Sequence, residues 1–149
     1  MKIYYLTLVL CFLNCSCQTS SEEKNFYKVC EQLSIPIRHN SYYLLIPIDG
    51  CGVCLKKSIE FSKKNISNQN IITVLVSTSG RKNAVIKYGG LMPSSIFIDE
   101  KGMFINAKIC NGYVSVVSIS DHNPFKIEFF EPKNIDSGLS KLYKYSITM

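Results

Sequence analysis

Cys51 and Cys54 stand two residues apart in the segment Cys51-Gly52-Val53-Cys54. A pair at this spacing supports thiol–disulfide exchange when it opens a helix. The helix N-terminus presents unpaired N–H groups and a partial positive charge, which favour thiolate over thiol at the first cysteine. The second sulfur lies one turn further on. It can attack a mixed disulfide formed on the first and release the bound molecule. Gly52 adds little strain to this spacer. The same pair also fits a fixed staple or half of a metal site. A zinc site wants a second pair, and Cys30, Cys110, His39 and His122 are single residues without ligand spacing. Cys51 and Cys54 are therefore the candidate catalytic residues, and no metal site or cofactor is expected.

The flanking residues supply the elements that such chemistry needs. Tyr42 to Ile48 is an almost wholly apolar run, broken by Asp49-Gly50. It predicts a buried central strand with Pro47 near its end. Cys51 to about Lys64 predicts an amphipathic helix, with Val53, Ser58 and Phe61 inward and Lys56, Lys57, Lys63 and Lys64 outward. Ile71 to Val76 predicts a second buried strand, and Asn83 to Tyr88 a short helix closed by Gly89-Gly90. Glu22 to Leu33 carries Phe26, Val29, Cys30 and Leu33 at helical spacing, and Pro36 ends that helix. Ser95 to Ile98 and Met103 to Ile109, joined by Asp99-Glu100-Lys101-Gly102, predict a hairpin. Tyr113 to Ser120 and Phe125 to Phe130 read as further strands, and Asp136 to Tyr145 as a short helix. Strands alternating with helices predict an α/β fold, with a central mixed sheet flanked by helices.

The chain has 149 residues, 46% hydrophobic and 19% charged, which excludes disordered and low-complexity classes. Its net charge of +6 is spread along the chain with no basic block, so nucleic acid is not an expected partner. The beginning is different in kind. Lys2 precedes the apolar run Ile3 to Leu13, which is too short to span a bilayer and reads as an export signal. The run ends in Asn14-Cys15-Ser16-Cys17 and turns polar at Gln18. An apolar run closing on a small residue and Cys resembles the lipobox of bacterial lipoproteins. Cys17 follows the small Ser16 and is the better lipid site, with Cys15 as the alternative. The resulting division is a signal peptide at 1–16, a tether at 17–25 and a domain at 26–149. Export brings the remaining cysteines into a compartment where disulfides form and persist.

The strand Tyr42 to Ile48, the Cys51–Cys54 motif with its helix, and Met92-Pro93-Ser94-Ser95-Ile96-Phe97-Ile98-Asp99-Glu100-Lys101-Gly102 together resemble the thioredoxin superfamily. They are most similar to its exported, membrane-tethered TlpA-like branch. The resemblance covers about residues 42–110. It implies a thioredoxin-like fold, with Cys51 as the attacking thiol and Cys54 as the resolving one. It also implies that Pro93 is a cis-proline and that Met92 offers its backbone to substrate opposite the sulfurs. The chain departs from the family in having Gly50 rather than Trp before the motif, and no carboxylate in Tyr42 to Ile48. Asp49 and Glu60 are candidate proton carriers or plain surface residues. The C-terminal part reads as atypical, with strands in place of the usual final helix.

The expected function is an envelope thiol–disulfide oxidoreductase, lipid-anchored and facing the periplasm. Its partners would be disulfide-bearing exported proteins, an upstream thiol–disulfide electron donor, and the membrane through the lipid anchor. The alternatives are a non-catalytic binding module on the same scaffold, and a metallochaperone. Cys30 and Cys110 are expected as buried core thiols, or else as a second disulfide.

Overall fold

The apolar runs set the centre of the molecule. In the computed structural model, which describes residues 20–120 and 125–148, β1 (Ser41–Pro47) is buried along its whole length. It lies mid-sheet between β2 (Ile71–Val76) and β4 (Val114–Ile119). The five-stranded sheet is completed by β3 (Ile96–Asp99) outside β2 and β5 (Lys126–Phe130) outside β4. β1, β2 and β3 run parallel, whereas β4 and β5 are antiparallel to their neighbours. The chain is thus α/β with a mixed sheet. The export segment, Cys17 and Cys15 as lipid sites, and His122 lie outside the described residues.

Alternation along β1 builds two cores. Tyr42, Leu44 and Ile46 face one side with Leu75 and Val116, while Tyr43 and Leu45 face the other with Val74 and Val117. The first side is covered by α2 (Gly52–Lys64), α3 (Arg81–Tyr88) and α5 (Ile135–Ile147). The second is covered by α1 (Ser21–Gln32) and the single turn α4 (Met103–Asn106). Ser20 caps α1, its hydroxyl accepting from the Glu23 N–H at 3.1 Å. The Tyr43 hydroxyl explains itself within this second core. It donates to the Pro36 carbonyl at 3.0 Å and accepts from the Arg38 N–H at 2.8 Å, so it belongs to the scaffold.

The predicted hairpin is corrected. Ile96–Asp99 pairs in parallel with β2, and Met103 to Ile109 does not return as a strand. Gly102 sits at φ 63°, and the Asp99 carboxylate accepts from the Phe104 N–H at 2.9 Å. That bond closes a helical turn and buries Phe104 completely. The strands read over Tyr113 to Ser120 and Phe125 to Phe130 and the helix over Asp136 to Tyr145 are all present as β4, β5 and α5, so the two strands precede a final helix rather than replace it. α5 buries Ile135, Leu139 and Leu142 against the α2 side. Its end is pinned by Asn68 to the Ser146 hydroxyl at 2.8 Å and by Asn70 to the Ser146 carbonyl at 2.9 Å.

Candidate functional site

The dithiol stands where β1 hands over to α2. Ile48 extends the ladder by donating its N–H to the Val76 carbonyl at 2.8 Å. Asp49 and Gly50 turn the chain, and Cys51 becomes the N-cap of α2 in an extended conformation. Its carbonyl accepts the first intrahelical bond, from the Leu55 N–H at 2.8 Å. Its Sγ takes the place of a capping oxygen and accepts from the Cys54 N–H at 3.5 Å. Hydrogen bonds from the Cys54 backbone and then from the Cys54 thiol hold Cys51 below the ordinary thiol range, slight burial opposing them. Cys51 is half-buried, and a Cβ at Gly52 would meet nothing within 4 Å, so its sulfur is flanked by open space.

Cys54 occupies the inner side of the same turn and is 1% exposed. Burial pushes its thiol up to about 11, helped by the hydrogen bond to Cys51 and by the negative charge there; Lys57 nearby acts the other way. The two sulfurs are therefore unequal for identifiable reasons. One is an accessible thiol whose ionisation is favoured, and the other a buried thiol that stays protonated at neutral pH.

Two contacts fix the turn that carries Cys51. The Asp49 carboxylate accepts from the Thr78 N–H at 2.9 Å, the Ser79 hydroxyl at 2.7 Å and the Asn83 amide at 3.0 Å. Its partial burial disfavours charge, but the bonds from Ser79 and Thr78 prevail and hold its carboxyl below the usual range. Asp49 thus ties the β1–α2 turn to the β2–α3 loop. On the other side, a Cβ at Gly50 would lie 2.2 Å from the Gly112 carbonyl oxygen. The segment Cys110 to Tyr113, which leads into β4, therefore abuts the residue before Cys51, and that approach requires glycine.

The residues singled out from the sequence separate here. Cys51 and Cys54 come together as expected. Met92 and Pro93 do not join them. Cys51 follows the C-terminal end of β1, whereas Pro93 precedes the N-terminal end of β3, which runs parallel to it. They therefore lie toward opposite ends of the sheet. The Met92–Pro93 peptide is trans, as are all peptides among the described residues. Pro93 instead accepts from the Ile96 N–H at 3.1 Å and starts β3. Val53, expected inward, is 56% exposed; the inward stripe of α2 is Cys54, Ser58, Ile59 and Ser62. Neither Asp49 nor Glu60 reaches Cys54 by a hydrogen bond: the first is engaged as described and the second is exposed on α2.

Cys30 and Cys110 are buried, unpaired thiols in the second core, across the sheet from Cys54. Burial pushes Cys30 up to about 12 and raises Cys110 as well. Sequence reasoning missed three residues near the dithiol. Lys57 favours the Cys54 thiolate, Lys87 donates to the Ile48 carbonyl at 3.2 Å, and Gly112 abuts Gly50. Only the Asn111-Gly112 turn signal was open to reading.

These shifts set an expected pH dependence. In the reduced protein, alkylation of Cys51 proceeds at neutral pH while Cys54, Cys30 and Cys110 stay protected. Mass spectrometry of the quenched protein reads this directly. The stability of the reduced fold follows the raised groups. Cys54 and Cys30 ionise in the unfolded chain near the ordinary thiol value of about 8.5, but only at about 11 and about 12 in the fold. Their contribution is complete below the unfolded value and falls as pH rises through this window. Urea midpoints from pH 8 to 11 are expected to decline.

No family model, curated protein or solved structure matches the chain. Among the described residues there is no group of three or more His, Cys, Asp or Glu placed to hold a metal ion. No helix among them is long and apolar enough to cross a membrane.

Proposed function

We propose that the chain is a thiol–disulfide oxidoreductase of thioredoxin-like architecture that works through Cys51 and Cys54. The observation that carries this reading is the inequality of the two sulfurs across the first turn of α2. Cys51 is accessible and stabilised as thiolate, while Cys54 is buried and held protonated. A pair kept only for packing has no need of a solvent-facing sulfur seated on helix N–H groups.

The chemistry follows from that inequality. The Cys51 thiolate attacks one sulfur of a substrate disulfide. The substrate S–S bond breaks, and the leaving sulfur departs as thiolate and takes a proton from water. Cys51 is now neutral in a mixed disulfide. The hydrogen bond and negative charge that helped to hold up Cys54 are gone, and Lys57, ion-paired with Asp136, still favours its ionisation. Cys54 therefore loses its proton more readily and attacks the Cys51 sulfur. The Cys51–Cys54 bond forms, and the second substrate sulfur leaves as a thiol. The substrate gains two electrons and two protons. An upstream dithiol donor supplies two electrons to reset the pair.

The placement of this activity rests on the sequence. The export-signal reading of residues 1–16 and the lipobox-like Ser16-Cys17 support a place in the bacterial cell envelope, tethered by lipid and facing disulfide-bearing exported proteins. The test of the function is turnover: the full chain, with excess dithiothreitol as donor, is expected to accelerate reduction of a protein disulfide such as insulin's. Reduction at the rate of dithiothreitol alone would overturn the reading.

A further inference from the structure

Beside the dithiol, a groove of about 360 Å³ runs between α2 and α3, beginning at Gly52, the residue after Cys51. Its floor is apolar. Leu55 is half-buried, and Ile59 and Tyr88 are buried. Its rim is cationic: Lys56 and Lys63 come from α2 and Lys87 from α3, against the one carboxylate of Glu60.

Two of these cations are held in place by uncharged partners. The Lys63 ammonium lies 5.0 Å above the centre of the Tyr88 ring. The Lys87 ammonium donates to the Ile48 carbonyl, three residues before Cys51. Among the described residues, none of the three lysines takes part in an ion pair. The groove therefore presents positive charge that the fold itself leaves uncompensated, over an apolar floor, starting at the residue that follows Cys51. Pinned side chains lose little freedom when a ligand arrives, which favours binding.

We propose that this groove receives the segment flanking the substrate's disulfide, and that this segment carries an apolar side chain between carboxylates. The proposal rests on the thiol–disulfide reading and names its substrate class: exported proteins whose reactive cysteine lies in an acidic, apolar stretch. The apolar side chain seats on Leu55, Ile59 and Tyr88. The carboxylates meet Lys56, Lys63 and Lys87, which presents the neighbouring disulfide to Cys51.

The test uses the reduced full chain and three peptides. Two are cystine-bridged dimers, one with Glu-Leu-Glu beside the cysteine and one with Lys-Leu-Lys. The third is the acidic peptide with serine in place of cysteine, whose binding is read by fluorescence anisotropy. The acidic dimer is expected to react about tenfold faster than the basic one, as two weak ion pairs would give. The difference should shrink in about 1 M salt. The triple variant Lys56→Glu, Lys63→Glu, Lys87→Glu is expected to reverse the preference, a gain that misfolding does not produce. Equal exchange rates with no reversal would overturn the groove and leave the dithiol reading intact. No exchange with either dimer, together with selective binding of the serine peptide, would sink the dithiol reading and keep the groove. Binding of phosphatidylglycerol vesicles that is lost in the triple variant, without peptide preference, would replace the proposal by a lipid surface.

Discussion

Replacing Cys51 with serine is expected to abolish disulfide exchange, by roughly a thousandfold or more, while Cys54→Ala stops the cycle at a different point. A serine hydroxyl at the N-cap keeps the capping bond to the Cys54 N–H and so keeps α2. At neutral pH, however, it is not an effective nucleophile. Loss of activity without loss of structure is therefore the expected signature of Cys51→Ser. In Cys54→Ala the Cys54 N–H still stabilises the Cys51 thiolate, although the thiol's own hydrogen bond is gone. The first attack proceeds, and no second sulfur is present to release the substrate. The mixed disulfide should accumulate, visible without reductant as protein plus one substrate half by mass. Absence of the adduct in Cys54→Ala, or its accumulation in Cys51→Ser instead, would contradict this assignment of the two sulfurs.

The second large effect concerns stability. Phe26→Ala is expected to cost about 3–5 kcal/mol in urea unfolding at pH 7. Phe26 is fully buried on α1. Its ring meets Tyr43 edge-on at 5.0 Å, and lies 5.9 Å from Phe104 and 5.6 Å from Phe125. The one side chain thus joins α1, β1, α4 and the entry to β5. A domain of this size has about 5–15 kcal/mol in all, so much of its margin would be lost. The damage should stay on that side of the sheet. Cys51 and Cys54 lie across β1 from Phe26, so the pH profile of Cys51 alkylation in the folded protein is expected to stay unchanged. A cost under about 1 kcal/mol would mean that α1 is not integral to the core.

Tyr42 to Ile48 and Ile71 to Val76 are continuous apolar runs between clear breakers, and both are buried strands. The Cys51–Cys54 pair was legible because the strand before it and the amphipathic stretch after it place it at a helix start. Met103 to Ile109 was misread because an apolar run of that length fits a strand or a buried turn equally well. The Asp99 carboxylate decided it, through a bond to Phe104 that no local pattern displays. Val53 was placed inward because it is apolar, but the face of α2 is set by the burial of Cys54, one residue on. Pro93 illustrates the limit of resemblance: the segment Met92 to Gly102 looks like a strand entry followed by a hairpin. In this fold it feeds the outer parallel strand β3, and the Gly112 segment lies against Gly50 instead. Long-range neighbours of this kind depend on strand order, which a single sequence does not print.

The proposed function requires that Cys51 and Cys54 form one reversible redox pair. Equilibration of the full chain against graded mixtures of reduced and oxidised dithiothreitol or glutathione, with remaining thiols alkylated and located by mass, tests it most directly. Cys51 and Cys54 are expected to be lost and regained together, in one two-electron transition, while Cys30 and Cys110 remain thiols throughout. Persistence of both thiols under oxidising conditions, or pairing of either with Cys30 or Cys110, would contradict it.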